Sequence, residues 1–227
     1  MKDLKDYRQR EQAMYVIANA LLFLVVHNLI EIKANMLTDI DRILSQLFSS
    51  TVFSVIAFGF IFVVECLFTS NAKEKLLYLF GLLSLPGCTI FSDVKKNNKD
   101  ERFSYQSLAD KHPTIYSNLP EDKKLRKKYE NEQWYLIYSK IRAAPMIHSS
   151  QRDSLMCRDI FISTMVMLII YIIVVVVCLV SFNVGYMLFL IAMLIITNIG
   201  ANRKAVRFAY NVIAYDVSTP TRGGDKE

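Results

Sequence analysis

Glycine, proline, cysteine and histidine are scarce in this chain of 227 residues, at seven, five, four and three copies. So little glycine and proline excludes collagen-like and low-complexity classes and suits long helices. Cys66, Cys88, Cys157 and Cys178 form no CxxC pair, and His27, His112 and His148 are dispersed. That pattern offers no metal-ligand spacing, so free thiols and no metal are expected. A phosphate-cradling glycine-rich loop, a GxSxG elbow and an HExxH motif are also missing, so neither a cofactor nor an enzyme activity is expected. His148 beside Ser149 and Ser150 is only an adjacency of a base and hydroxyls, and His112-Pro113 reads as a turn.

The most informative absence is of charge. From Ile160 to Asn202, 43 residues pass without Asp, Glu, Lys, Arg or His. As helix, at ~1.5 Å per residue, this run is roughly 64 Å long, about twice the ~30 Å hydrocarbon core of a bilayer. Turn formers interrupt it at Ser181-Phe182-Asn183-Val184-Gly185. The pattern predicts a transmembrane helical hairpin.

Two further spans precede it, at about Ala13 to Ile30 and Phe48 to Phe68. The fold class expected is therefore an all-α integral membrane protein, with two transmembrane hairpins (four spans) around a small helical cytoplasmic insert. The division is an N-terminal tail (1–12), a first hairpin (13–68), an insert (69–159), a second hairpin (160–200) and a C-terminal tail (201–227). The charged first twelve residues ahead of a spanning stretch read as an uncleaved signal anchor.

Orientation follows from lysine and arginine. The N-terminal tail carries four, the 31–47 loop two, the Ser181 turn none, residues 69–159 sixteen and the C-terminal tail five. The positive-inside rule puts both termini and the insert in the cytoplasm, which an even number of spans satisfies. Residues 76–91 (LLYLFGLLSLPGCTIF) are short for a span and end in a helix-stopping Pro86-Gly87. They read as a helix lying in, or dipping into, the cytoplasmic interface rather than a fifth span.

Within the insert, Glu121 and Asp122 suit a helix start after Pro120. Tyr129, Trp134, Ile137, Tyr138 and Ile141 then recur at roughly helical spacing until Pro145. The stretch before this helix reads as loop, with turn signals at Asn97-Asn98, His112-Pro113 and Ser117-Asn118. Arg152, Asp153, Arg158 and Asp159 form a charged helical stalk into the third span.

Polar residues inside apolar spans are the candidate sites. Asn19, His27 and Asn28 suit hydrogen bonds to a neighbouring helix or, in an assembled pore, water; packing is the commoner use. Glu65, near the end of its span, lines a polar path, pairs with a cation, or reaches the headgroups with Lys73 and Lys75 nearby; the last is favoured. The basic cluster Lys123, Lys124, Arg126, Lys127 and Lys128 reads first as a solvated helix face, then as a contact for anionic headgroups, then for nucleic acid. Trp134 and its neighbouring tyrosines read as a core or docking face before a base-stacking one.

The layout resembles the small multi-span effectors of bacterial antiphage systems. It is most similar to the transmembrane effector encoded beside a retron reverse transcriptase, in the stretches LPGCTIFSDVKKNNKDERFSYQSLADKHP, KYENEQWYLIYSKIR and RDSLMCRDIFIS. That resemblance implies a toxin of the bacterial inner membrane with no catalytic residues. A complex of reverse transcriptase with its RNA–DNA product would silence it, and on infection it would permeabilise or depolarise the membrane as a homo-oligomer, causing abortive infection. The other reading is a membrane anchor or accessory subunit that docks a cytoplasmic partner without opening the bilayer.

Overall fold

The structure, a computed structural model, describes residues 4–29, 40–78 and 85–219. Residues 79–84 of the expected interfacial helix, Ile30 of the first span, residues 31–39 of the loop after it and the ends of both tails lie outside the described residues. Among the described residues the regular elements are helices: α1 (Leu4–Val26), α2 (Ile40–Cys66), α3 (Ser70–Leu77), α4 (Ile90–Asn97), α5 (Tyr105–Lys111), α6 (Pro113–Ser117), α7 (Lys123–Ile141), α8 (Pro145–Val176) and α9 (Val184–Ser218), with a 3-10 turn at Pro86–Cys88.

Three of these helices are long and apolar enough to cross a membrane: α2 from Ile43 to Cys66, α8 and α9. Helix α1 is not among them. The uncharged stretch of it is Gln12–Val26, 15 residues, or about 23 Å at ~1.5 Å each. Valine and isoleucine crowd the apolar part of α8, yet in lipid a helix satisfies its own backbone donors and acceptors, which outweighs their β preference.

The chain divides into two compact units, one from 1–77 and 155–201, the other from 78–154 and 202–227. In the first, α1 packs along α2. Near one pair of ends, Gln12 of α1 meets Glu65 of α2 and Ser163 of α8. At the other, Phe23 of α1 meets Phe53 of α2, Tyr171 of α8 and Tyr186 of α9. The start of α1, the end of α2 and the start of the apolar part of α8 therefore converge, so α1 and α8 run opposite to α2. Large apolar side chains remain exposed on the outer faces, among them Phe48 at 72 %, Ile56 at 65 % and Val176 at 73 %. In water such a surface is unfavourable; against hydrocarbon it costs nothing.

The expected break near Ser181 is present, with a defined chemistry. Helix α8 stops at Val176, and Cys178 takes a left-handed conformation (φ 59°). The Leu179 amide donates to the Val174 carbonyl at 3.0 Å and the Cys178 amide to Val175 at 2.9 Å, a Schellman ending. Helix α9 then starts behind Asn183, whose Oδ1 accepts from the Tyr186 amide at 3.0 Å, while the Tyr171 hydroxyl bonds both the Asn183 amide and carbonyl. Helix α1 ends the same way: Asn28 sits at φ 53°, and the Leu29 amide reaches the Leu24 carbonyl at 2.9 Å. Asparagine tolerates this conformation better than cysteine does. Cys178→Gly is therefore expected to stabilise the hairpin by about 0.5–1 kcal/mol, read as a raised thermal midpoint in detergent. An unchanged or lowered midpoint would show that the left-handed residue carries no strain.

The second unit is a small helical core. Ile90, Phe91, Leu108, Ile147, Val212 and Ile213 are all at most 1 % exposed. Helix α7 begins where expected, with Asp122 capping the Lys124 and Leu125 amides at 3.0 and 2.8 Å. Tyr129, Trp134, Ile137, Tyr138 and Ile141 all face this core, as their spacing indicates. The stretch expected as loop instead holds α4, α5 and α6, of eight, seven and five residues. None is long enough to show a helical period, and each is held by burying an apolar residue: Val94, Leu108 and Ile115. The turn signals fall at their ends, with His112 ending α5, Pro113 opening α6 and Asn118 closing it.

Two packing details define this core. A Cβ on Gly87 would lie 3.0 Å from Asn131 Oδ1 and 3.2 Å from the Trp134 ring, so any larger residue there would make those side chains give by a few tenths of an ångström where the 3-10 turn lies against α7. And α9 runs past the apolar segment to Ser218, bringing Val212 and Ile213 into the unit. Trp134 Nε1 donates to the Ala209 carbonyl at 3.3 Å, Asn211 Nδ2 to Ser150 Oγ at 2.9 Å, and His112 Nε2 lies 2.7 Å from Asp216. A module of the insert's size is marginal alone; the described part of the C-terminal segment enlarges its core.

Candidate functional site

The first unit encloses a polar cluster built from helix ends. Glu65, the last residue but one of α2, is 4 % exposed. Gln12 Nε2 donates to its Oε2 at 2.6 Å, Ser163 Oγ bonds its Oε1, and Lys73 Nζ lies 3.5 Å from Oε2. Lys73, from α3, also donates to Asp159 Oδ1 at 3.3 Å. Asp159 is 1 % exposed and takes a second cation, Arg158 Nη2, at 3.3 Å; Arg158 reaches Glu74 at 3.8 Å. One ammonium thus bridges two buried carboxylates from different helices, with a guanidinium completing the neutralisation. Buried charges persist only when paired and hydrogen-bonded, and here each charge is both.

Neighbouring groups extend the cluster along the helices. Thr164 Oγ1 donates to the Ile160 carbonyl at 2.8 Å, so its 2.8 Å contact with Tyr15 has the tyrosine hydroxyl as donor. Asn19, 6 % exposed, turns its amide Nδ2 onto the Tyr15 carbonyl at 2.8 Å, which leaves Oδ1 buried without a partner. Further along α1, His27 Nδ1 bonds the Phe23 carbonyl at 3.0 Å. The rings of Phe23, Tyr186 and Tyr171 stand 4.5, 5.6 and 5.7 Å from the imidazole, and Nε2 is buried without a partner. Asn28 shapes the end of α1 through its backbone.

The expected polar positions therefore divide. Glu65 lies inside the protein and is paired with Lys73, rather than reaching outward. Asn19 lies on the same face of α1 as the cluster and His27 one end away, among aromatic rings. Sequence reasoning missed Gln12 and Ser163 as partners of Glu65, and the bridge that Lys73 makes from Glu65 to Asp159. Their only sequence signal is position, since each stands where a charged segment gives way to an apolar one.

The basic cluster is divided as well. Lys123, Lys124 and Lys128 are exposed, with Lys128 3.8 Å from Glu132 across one helical turn, whereas Arg126 donates to the Pro120 and Glu121 carbonyls at 2.8 and 2.7 Å. Lys127 is half-buried. Trp134 stacks on Tyr138 at 5.5 Å and meets Phe208 edge-on, so its ring belongs to the core. On the same unit, Glu130 is 1 % exposed and accepts from the Phe91 and Ser92 amides at 2.9 and 3.1 Å and from the Ser92 hydroxyl. Burial pushes its carboxyl above the usual range, against the pull of these bonds.

Among the described residues no group of three or more His, Cys, Asp or Glu side chains is placed to hold a metal ion. What the cluster at Glu65 can do is fix the register of α1, α2, α3 and α8 against one another through charge. Comparison with known protein families, curated proteins and solved structures finds no match for this chain.

Proposed function

We propose that the chain is a four-span effector of the bacterial inner membrane that permeabilises or depolarises it, with both termini and the insert in the cytoplasm. The observation that carries the reading is the antiparallel convergence of helix ends in the first unit. If α2, α8 and α9 cross a bilayer, α1 packed along α2 crosses with them, its 15-residue uncharged stretch burying Val16, Ala20 and Leu24 against protein and beginning at the buried Gln12. The charged ends of α1, α2 and α8 then share one face, the face that the lysine and arginine counts assign to the cytoplasm. Gln12, Asn19, Ser163 and Thr164 are polar groups held inside the helices; loosening the bundle would turn them to water and open a polar path. The antiphage setting, with silencing by a reverse transcriptase and its RNA–DNA product, rests on the resemblance in sequence.

The test is induced expression in bacteria, followed with a membrane-potential dye and with reporter fusions at Asp39, Glu121 and Gly223. Depolarisation within minutes is expected, with a periplasmic signal at Asp39 and cytoplasmic signals at the other two. Correct topology with an undisturbed potential, alone and after phage infection beside a retron, would leave the anchor reading instead. A periplasmic signal at Glu121 would overturn the arrangement itself.

A further inference from the structure

Helix α9 changes character at a sharp boundary. From Val184 to Asn202 it runs 19 residues without a charged side chain, about 28 Å at ~1.5 Å each, close to the ~30 Å of a bilayer core. One line along this stretch is left uncovered by protein: Leu188, Ile195 and Ile199 are 61 %, 56 % and 49 % exposed. Steps of three and four residues keep to one helix face, and the next positions on it are Arg203, Val206 and Arg207, all exposed. The apolar line therefore runs straight into two guanidinium groups one turn apart.

Pairing sets these two apart from other cations at helix ends. Lys73 and Arg158 each lie 3.3 Å from Asp159, and Lys204, next in sequence to Arg203, lies 3.2 Å from Asp153. Arg203 and Arg207 make no side-chain hydrogen bond or ion pair among the described residues. A free guanidinium offers a planar fork of donors that matches phosphate oxygens two at a time. The headgroup layer begins where the hydrocarbon ends and is ~5–8 Å deep. Arg203 follows the uncharged stretch directly, and Arg207 stands about 6 Å further along the axis. Helical side chains lean toward the N-terminus of their helix, here back toward the apolar line, so both long stems carry their charge into that layer. Val206, 44 % exposed between the two, and the isoleucines before them suit an amphiphile better than a soluble polyanion.

We propose that Arg203 and Arg207 bind the phosphate of an anionic phospholipid whose acyl chains lie along Ile195 and Ile199. The site requires α9 to cross the bilayer, as in the functional reading above, and is independent of whether the protein opens it.

The test begins with the purified full chain and phosphatidylcholine nanodiscs; failure to co-elute with them would refute the span and the site together. The chain in detergent micelles is then titrated with dioleoylphosphatidylglycerol and with dioleoylphosphatidylcholine, which has the same chains and a phosphate but no net charge. Binding is read as saturable thermal stabilisation against lipid mole fraction. The wild-type protein is expected to prefer phosphatidylglycerol by about tenfold, between the worth of one and of two cations near a headgroup. Arg203→Gln combined with Arg207→Gln should bring the two lipids within about threefold. Lys123→Gln combined with Lys124→Gln removes the same charge from α7 and should keep the full preference. Co-elution with equal wild-type affinities would overturn the site alone, and that comparison needs no variant to fold. A preference that survives in the arginine variant, or falls equally in the lysine one, would make it a general attraction of the basic surface and overturn the site as well. Inorganic phosphate should neither stabilise the protein nor compete; if it does both, the pair is a site for free phosphate and the lipid assignment fails.

Discussion

Replacing Lys73 with methionine is expected to destabilise the first unit by about 3–5 kcal/mol, the range found when one partner of a buried ion cluster is removed. The side chain is 12 % exposed, while those of Glu65 and Asp159 are 5 % and 2 % exposed. Without the ammonium, two carboxylates from different helices face one another in a low-dielectric setting. Asp159 keeps Arg158; Glu65 keeps only the neutral donors Gln12 and Ser163. The penalty should therefore fall mainly on Glu65. Adding Glu65→Gln to Lys73→Met removes that charge and should recover more than half of the loss, whereas Glu65→Gln alone should cost about 1–2 kcal/mol. Lys73→Arg keeps a cation and should stay near the wild type. The measurement is the thermal midpoint for loss of monodisperse protein in detergent. A Lys73→Met protein that melts with the wild type would mean the cluster is solvated, and the charge-fixed register would have to be abandoned.

This cluster also marks where sequence reading runs out. Elements set by local chemistry are legible. The uncharged 43-residue run and its turn formers gave the α8–α9 break, and Asp122 with the aromatic spacing gave α7 and its buried face. Ion pairing is different, because Lys73 and Asp159 lie 86 positions apart and Gln12 and Glu65 53 apart. No periodicity connects them; only the folded path brings their helix ends together. For the same reason the C-terminal segment reads as a tail, since Val212 and Ile213 lie beyond the charged Arg203, Lys204 and Arg207 and are recognisable as core only once Phe91 and Leu108 are seen in the same cluster. Asn28 is an intermediate case: its residue type fits a left-handed helix stop as well as a polar contact, and backbone geometry decides for the stop. The helical insert was legible in α7 and not in α4–α6, whose five to eight residues are too few to carry a pattern.

The second unit offers the other large effect. Glu130→Ala is expected to cost it about 2–4 kcal/mol, because the carboxylate acts as the missing cap of α4. Thr89, at the N-cap position, makes no side-chain bond, so the first amides of α4 turn to Glu130 on α7 instead. Alanine would strand the Phe91 and Ser92 amides beside a void; glutamine keeps one acceptor oxygen and should cost less. The pH dependence has a definite sign. Burial raises the folded carboxyl above its unfolded value of about 4.3, so the folded state holds a proton over the interval between them. The stability from this linkage is complete below the unfolded value and is lost as pH rises through the folded one. Glu130→Gln should flatten that slope. Trp134 is the single tryptophan and packs in this core, so its fluorescence reports the second unit within the full chain while the long apolar helices stay spectroscopically silent. A tryptophan melting curve for Glu130→Ala that overlays the wild type, or a Glu130→Gln protein with an unchanged pH slope, would show that α4 needs no cap from α7.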